Sequence, residues 1–256
     1  MKHLWATVLI LSACGPGGDS QSAAADNVQD TSAVAAEPAP IAARDRVLGL
    51  LSLPQVFGTE VCQPFMPIDV ALYEEAGSFK PIGRISVDRP WRFHPNGGCD
   101  GLAVKVHRAD STAADELPTL EFSYEAPGAI VLQRKEAWFR IRLAGGAAWI
   151  HATEQNVFHP LEELLAENLA YVANPDGAGL AAAPGADRSA AADLLTADRP
   201  VDVLQSQRVG DELWLRVAIQ NRSLCEGEDP TTIAEGWLPA HTSSGEPIVW
   251  FYSRGC

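Results

Sequence analysis

The residues best suited to chemistry are five cysteines and six histidines. Metal sites are typically indicated by characteristic spacings, such as a C-x-x-C pair or two histidines four residues apart. The sequence has neither. His241, with Ser243 or Ser244, could form part of a Ser-His-acid set, but the chain has no G-x-S-x-G nucleophile turn. The sequence therefore predicts no catalytic residue, no metal site and no cofactor.

The first 13 residues, MKHLWATVLILSA, have the three-part form of an export signal. Lys2 supplies a positive charge, an apolar run extends from Leu4 to Leu11, and two small residues precede Cys14. The apolar run is too short to span a bilayer, which needs roughly 20 apolar residues. Residues 1–13 are therefore predicted to be a signal peptide.

The segment Leu11-Ser12-Ala13-Cys14 resembles the lipobox of bacterial lipoproteins. The resemblance implies cleavage before Cys14 and attachment of diacylglycerol to its thiol, with further acylation such as palmitate making the anchor durable. The alternative is an ordinary signal peptide that happens to contain a cysteine. Gly15 rather than Asp follows the cysteine, and by resemblance to lipoprotein sorting in Gram-negative bacteria this implies the periplasmic face of the outer membrane.

Residues 14–45 are rich in Ala, Gly, Ser, Pro, Asp and Glu and contain almost no large apolar side chain. Such a composition cannot bury enough surface to outweigh the entropy lost on ordering. The segment is therefore predicted to be a lipidated cysteine followed by a disordered tether.

The charge balance excludes some classes of partner. The formal net charge is −14, and cleavage before Cys14 would remove one basic residue, Lys2, leaving 18 basic and 33 acidic residues and a net charge of −15. An acidic surface disfavours nucleic acid and polyanionic wall polymers as main partners.

Export into an oxidising compartment would favour disulfides among the four remaining cysteines, which are Cys62, Cys99, Cys225 and Cys256. Four cysteines allow three pairings. Because two lie in each half of the chain, we predict Cys62–Cys99 and Cys225–Cys256. Each bond would close a loop of some 30–40 residues and stabilise the fold by roughly 4 kcal/mol.

From about Arg46 onward, short runs of alternating apolar residues separated by turn residues predict a mainly β protein. Within 138–143, the pattern places Trp138, Arg140 and Arg142 on one face of a strand. One helix is expected after Pro160, where five apolar residues recur at helical spacing up to the stop at Asn174-Pro175: Leu161, Leu164, Leu165, Leu169 and Val172.

A phrase of the form W-x-R-[IV], turn, W-[IL] occurs twice, at 138–150 and, with an insertion, at 214–238. It resembles the late strands of bacterial SH3-like (SH3b) domains. The matching residues are Trp138, Ile141, Trp149 and Ile150 in the first copy and Trp214, Val217, Gly236, Trp237 and Leu238 in the second. Residues 70–85, reading VALYEEAG and then IGRI, resemble the opening of the same family, as does GLAAAPG at 179–185.

The resemblance implies two small SH3-like barrels with insertions, joined by one α-helix. The expected organisation is a first domain at 46–156, a linking helix at 157–177 and a second domain at 178–256. The implied function is non-enzymatic binding of a peptide, a cell-wall component or an envelope protein. The alternatives are an accessory or degenerate relative of a cell-envelope hydrolase or peptidase, and a purely structural assembly factor. Oligomeric state is left open.

Five tryptophans are candidates for a binding groove: Trp138, Trp149, Trp214, Trp237 and Trp250. Exposed aromatic side chains serve this purpose in modules that bind peptides or glycans. Each of them could equally pack into a small β core, because a tryptophan buries a large apolar area.

Overall fold

The computed structural model of the chain describes residues 45–57, 69–87, 104–124, 126–166, 168–188, 191–227 and 229–255. Its strands are, in chain order, β1 (Gly49–Ser52), β2 (Val70–Leu72), β3 (Gly83–Val87), β4 (Val104–Arg108), β5 (Ala114–Glu116), β6 (Thr119–Ser123), β7 (Ala126–Lys135), β8 (Trp138–Leu143), β9 (Gly146–His151), β10 (Phe158–Pro160), β11 (Ala170–Val172), β12 (Pro200–Val209), β13 (Glu212–Gln220), β14 (Thr232–Pro239) and β15 (Val249–Phe251). The helices are α1 (Pro54–Phe57) and α2 (Leu161–Ala166), with short 3₁₀ turns at Ala192–Leu194 and Leu224–Glu226. The prediction of a mainly β fold is confirmed.

The strands form three antiparallel sheets. The first sheet has the order β10-β1-β7-β8-β9, with β6 also paired to β7, and the second sheet has the order β15-β11-β12-β13-β14. The inserted sheet, β2-β3-β4-β5, lies in the chain between β1 and β7. In the first sheet the edge strand β10 pairs with β1, the first of its strands in the chain, and β7, β8 and β9 follow in order. In the second sheet the edge strand β15 pairs with β11 in the same way, and β12, β13 and β14 follow.

The first and second sheets repeat each other in register. Val131 pairs with Ile141 and Gln133 with Arg140, so that Leu132 is an extra residue on its strand. Val203 pairs with Val217 and Gln205 with Arg216, and Leu204 is the extra residue there. A β-bulge of this kind bends the strand that carries it and increases its twist. The two sheets are therefore bent at the same point by the same local irregularity.

The repeat extends to the next strand. Arg140 lies opposite Trp149 in the first sheet, and Arg216 lies opposite Trp237 in the second. Each of these tryptophans also forms an isolated antiparallel bridge with a residue far away in sequence. Trp149 bridges to Tyr73, and Trp237 bridges to Ala181.

The first sheet lies between two hydrophobic cores. Leu50 and Ile130 pack into one core with residues of α2 and the second sheet, whereas Leu51 and Val131 pack into another with residues of the inserted sheet. Consecutive side chains of a strand point to opposite faces, so β1 and β7 are apolar on both sides. All described residues belong to one compact unit, Ala42–Cys256.

The predicted helix at 157–177 is wrong in extent. Helix α2 covers only Leu161–Ala166, and the flanking residues form β10 before it and β11 after it. At the end of the helix, the side chain of Asn168 donates a hydrogen bond of 2.8 Å to the carbonyl of Leu164, one of the last-turn carbonyls that have no partner within a helix. Leu169 and Val172 matched the helical period, but a short apolar segment also fits a strand, and Val172 is a buried residue of β11.

The segment Asp45–Leu48, here called the strap, connects the two halves of the fold. On the side of the first sheet, Asp45 pairs with the guanidinium of Arg140. On the side of the second sheet, the amide of Val47 donates to the carbonyl of Gly245 at 3.1 Å. Nearby, Arg142 binds Glu246 through two hydrogen bonds of 2.6 and 3.1 Å. The strap is therefore held by both halves at once.

The described part of the chain contains no helix with the length and apolar character needed to cross a membrane. Cys225 is disulfide-bonded. The other cysteines, Cys14, Cys62, Cys99 and Cys256, lie outside the described residues, as do the signal peptide and most of the tether. The predicted lipidation and disulfide pairing therefore stay predictions.

The strap predicts a strong effect of Gly245→Ala. Gly245 has a φ of +90°, and a Cβ there would overlap the backbone carbonyl oxygen of Asp45. Gly177→Ala is the matched control, since Gly177 has a φ of +69° with no atom within 4 Å of the added Cβ. We expect Gly177→Ala to lower the free energy of unfolding by about 1 kcal/mol through the left-handed conformation alone, and Gly245→Ala by about 3 kcal/mol or more. Urea denaturation measures both, and equal losses would contradict the close contact.

Candidate aromatic binding face

The outer face of the β8–β9 hairpin carries large aromatic side chains that remain partly exposed. Along β8, Phe139, Ile141 and Leu143 are buried while Trp138, Arg140 and Arg142 are not, which confirms the predicted alternation. Along β9, Ala148 and Ile150 are buried. Residues that lie directly opposite each other in an antiparallel pair project from the same face. Trp138 is opposite His151 and Arg140 is opposite Trp149, so all four side chains share the outer face.

Tyr73 completes this cluster from the inserted sheet. Its ring meets that of Trp138 edge to face, with centroids 5.2 Å apart and an interplanar angle of 80°. The ring of His151 also meets that of Trp138, with centroids 4.9 Å apart and an interplanar angle of 67°. Edge-to-face contacts match the positive edge of one ring to the negative face of the next. We call Tyr73, Trp138, Trp149 and His151 the aromatic face.

Backbone hydrogen bonds place Tyr73 beside the hairpin. The amide of Tyr73 donates to the carbonyl of Trp149 at 2.8 Å, and the amide of Trp149 donates back to the carbonyl of Tyr73 at 2.8 Å. Tyr73 directly follows β2, whose Val70 and Leu72 are buried. The inserted sheet is therefore the element that brings Tyr73 to the first sheet.

The five tryptophans predicted for a groove do not lie together. Trp138 and Trp149 share the aromatic face, and Trp237 is half-buried at the corresponding place in the second sheet. Trp214 and Trp250 are only 4% and 9% exposed. These two tryptophans pack inside the fold and do not offer a surface to a ligand, so a groove formed by all five is not present.

Sequence reasoning did not assign two members of the aromatic face, Tyr73 and His151, to a binding surface. His159 of β10 stacks on Phe122 of β6, with ring centroids 4.3 Å apart, whereas His151 is the exposed last residue of β9. The two-residue turn at Ala144-Gly145, which pairs Leu143 with Gly146, is the signal that could have found it. Continued along the hairpin, this register puts His151 opposite Trp138.

His241, the candidate for a Ser-His-acid set, holds the strap. Its Nε2 lies 2.7 Å from the backbone carbonyl oxygen of Val47, and since a carbonyl only accepts, Nε2 is the donor. Its buried Nδ1 has no hydrogen-bond partner in the described structure. The hydroxyl of Ser244 is 2.8 Å from that of Thr242. The imidazole therefore does not activate a serine in this arrangement.

The outer face of the inserted sheet contains a shallow cleft of about 380 Å³, lined by residues that include Arg84, His107 and Arg108. Arg84 pairs there with Asp69 at 3.1 Å, and both side chains are more than half exposed. Exposed pairs of this kind contribute little to stability. Among the described residues, no group of three or more His, Cys, Asp or Glu side chains could hold a metal ion.

In comparisons with known proteins, no family model, no curated protein and no solved structure matches the chain.

The environment of His241 predicts a loss of stability in mild acid. Burial is the main cause that lowers its pKa, and Arg46 and Arg208 lower it further, against the opposing effects of the Val47 hydrogen bond and Glu212. A free histidine has a pKa of about 6.5. Because the unfolded chain binds the proton more readily, the stabilisation is fully present above that value and is lost as the pH falls from it towards the lower pKa of the folded state.

Urea denaturation between pH 8 and pH 5.5 measures this slope. His241→Gln keeps a side-chain N–H for Val47 but does not titrate, so its free energy of unfolding should vary less with pH. Some slope should persist, because burial also lowers the pKa of His159. Identical slopes for the wild type and His241→Gln would contradict the assignment.

Proposed function

We propose that the chain is a non-enzymatic, lipid-anchored protein of the bacterial cell envelope, with two SH3-like barrels, of which the first binds a peptide, wall component or protein partner. The anchor rests on the sequence around Cys14 and on the apolar-poor segment that follows it. The outer membrane is the proposed location, because Gly15 follows the cysteine.

The architecture of the two repeated sheets supports the SH3-like barrels. In each sheet a strand that opens the unit pairs with the strand that closes it, and a three-stranded meander completes the five-stranded path. The bulges at Leu132 and Leu204 supply the bend that a small barrel needs. The inserted sheet and the loop that contains Cys225 are additions to this minimal unit.

One observation carries the binding proposal: the aromatic face is a surface of clustered rings on a rigid hairpin. Trp138 and Trp149 are held by paired strands, and Tyr73 is fixed by two backbone hydrogen bonds. Rigid aromatic side chains offer a large contact area and lose little entropy on binding, and binding modules use them in this way.

Replacement of Trp138 tests the binding proposal. The purified full chain should be retained by peptidoglycan, or cross-link to an envelope protein, and Trp138→Ala should reduce that retention about tenfold or more, because central tryptophans dominate interfaces. Tyr124→Ala is the control, since Tyr124 is 63% exposed and lies outside the aromatic face. No retention of the wild type, or equal retention of both variants, would contradict the proposal.

Inhibition of lipoprotein signal peptidase tests the anchor. Globomycin should leave the precursor uncleaved, and labelling with radioactive palmitate should be lost in Cys14→Ala. Membrane fractionation should then show the variant released. Normal cleavage of the wild type without acylation would overturn the lipoprotein assignment and would leave the binding proposal intact.

A further inference from the structure

Three cross-strand neighbours form a basic row along the end of the first sheet. Lys135 of β7 lies opposite Trp138, and Trp138 lies opposite His151 of β9. Direct opposition places the three side chains on one face, and Lys135 and His151 are both exposed. We call Lys135, Trp138 and His151 the basic row.

The basic row stands out against the charge of the chain. The formal net charge is −14, yet the row carries a lysine ammonium and an imidazole on either side of an indole. Lys135 pairs with no acidic side chain in the described structure, unlike Arg140 and Arg142, which are bound to Asp45 and Glu246. Glu136 lies in the turn beyond the end of the row. The row therefore presents N–H donors that are free to meet an anion.

The spacing of the row restricts what can bind both of its ends. The backbones of neighbouring strands lie about 4.8 Å apart. Because β8 separates the strands of Lys135 and His151, the backbones at these two residues are about 9.6 Å apart. A polyproline II helix rises about 3.1 Å per residue and repeats its side-chain direction every third residue, or about every 9.3 Å. In a β-strand, residues three apart point to opposite faces. An extended ligand with anionic groups three residues apart thus matches the row in the polyproline II conformation.

The second sheet shows which residues the fold itself does not require. By the shared register, Gln207, Trp214 and Pro239 occupy the positions of Lys135, Trp138 and His151, and Ala181 occupies that of Tyr73. Only the tryptophan is common to both sheets, and in the second it is buried. The two basic side chains and the tyrosine are therefore specific to the first sheet.

We propose that the basic row binds an acidic peptide segment in polyproline II conformation, with the pattern Glu-x-x-Glu. One carboxylate meets Lys135, the other meets an imidazole N–H of His151, and the apolar residue between them rests on Trp138 beside Tyr73. This inference rests on the proposed binding function and names its ligand class, and it gives one such site per chain.

The test uses three fluorescein-labelled peptides in a proline-alanine background, with Glu-x-x-Glu, Gln-x-x-Gln or Glu-x-Glu at the centre, titrated with the purified full chain and followed by anisotropy. The Glu-x-x-Glu peptide should bind about tenfold more tightly than Gln-x-x-Gln, which loses both carboxylate contacts, and about threefold more tightly than Glu-x-Glu, which can keep only one of them. The difference should shrink at 0.5 M salt, where the screening length is a few ångströms.

The variants Lys135→Gln and His151→Ala should each lose about threefold in affinity for the Glu-x-x-Glu peptide, since each removes one of the two contacts. Neither should change affinity for the Gln-x-x-Gln peptide. Lys80→Gln, which removes an exposed lysine outside the basic row, is the control and should bind like the wild type.

The two proposals can fail separately. Equal affinity for the three peptides, or equal loss in Lys80→Gln and Lys135→Gln, would overturn the acidic-ligand inference. If Trp138→Ala still abolished retention by peptidoglycan or an envelope partner, the binding proposal would stand without it. If Trp138→Ala changed neither measurement, both proposals would be wrong.

Discussion

Leu50 and Leu51 are neighbours in β1, yet they pack into different hydrophobic cores. The same division holds in β7, where Ile130 faces one core and Val131 the other. A strand that is apolar on both faces must be covered on both faces, because exposing either one would leave a large apolar patch in water. The inserted sheet covers one side of this layer, and α2 with the second sheet covers the other. The positions of all three sheets follow from this double burial. The outer face of β8 and β9 is not fully covered by either layer and stays partly exposed.

The two repeated sheets show what the fold requires and what has been added to it. Both keep the bulge, the arginine opposite a tryptophan, and the bridge from that tryptophan to a distant residue. These shared features are backbone constraints, since they determine bend and register. The side chains around them differ. The first sheet combines Trp138 with Tyr73 and His151, whereas the second buries its equivalent, Trp214, beside Pro239. The first sheet therefore keeps its tryptophan partly exposed, while the second packs its equivalent into the fold.

Local patterns in the sequence predicted the mainly β fold and the shared face of Trp138, Arg140 and Arg142, because strand alternation is set by residues two apart. The repeat was visible through its tryptophans, and a further signal was present in Val131-Leu-Gln133 and Val203-Leu-Gln205, which mark the two bulges. The extent of α2 was predicted poorly because a few apolar residues fit either period. The contact between Tyr73 and Trp149 joins residues 76 positions apart and depends on how the inserted sheet docks. No local pattern encodes such a contact, and the aromatic face could therefore be found only in three dimensions.

The hydrogen bond between Val47 and His241 joins residues 194 positions apart. The strap therefore finds its partner only when nearly the whole domain is present. Contacts between remote parts of a chain must overcome the entropy of closing long loops, and folds rich in them form slowly. During synthesis, which proceeds from the amino terminus, residues 45–48 emerge early and remain without their partners until 241–246 follow. The first part of the domain to be made is thus among the last to be secured, and β1 and β7 expose the face that packs against the second sheet until that sheet has been made. Such a chain would depend on chaperones more than a protein whose halves fold as they appear.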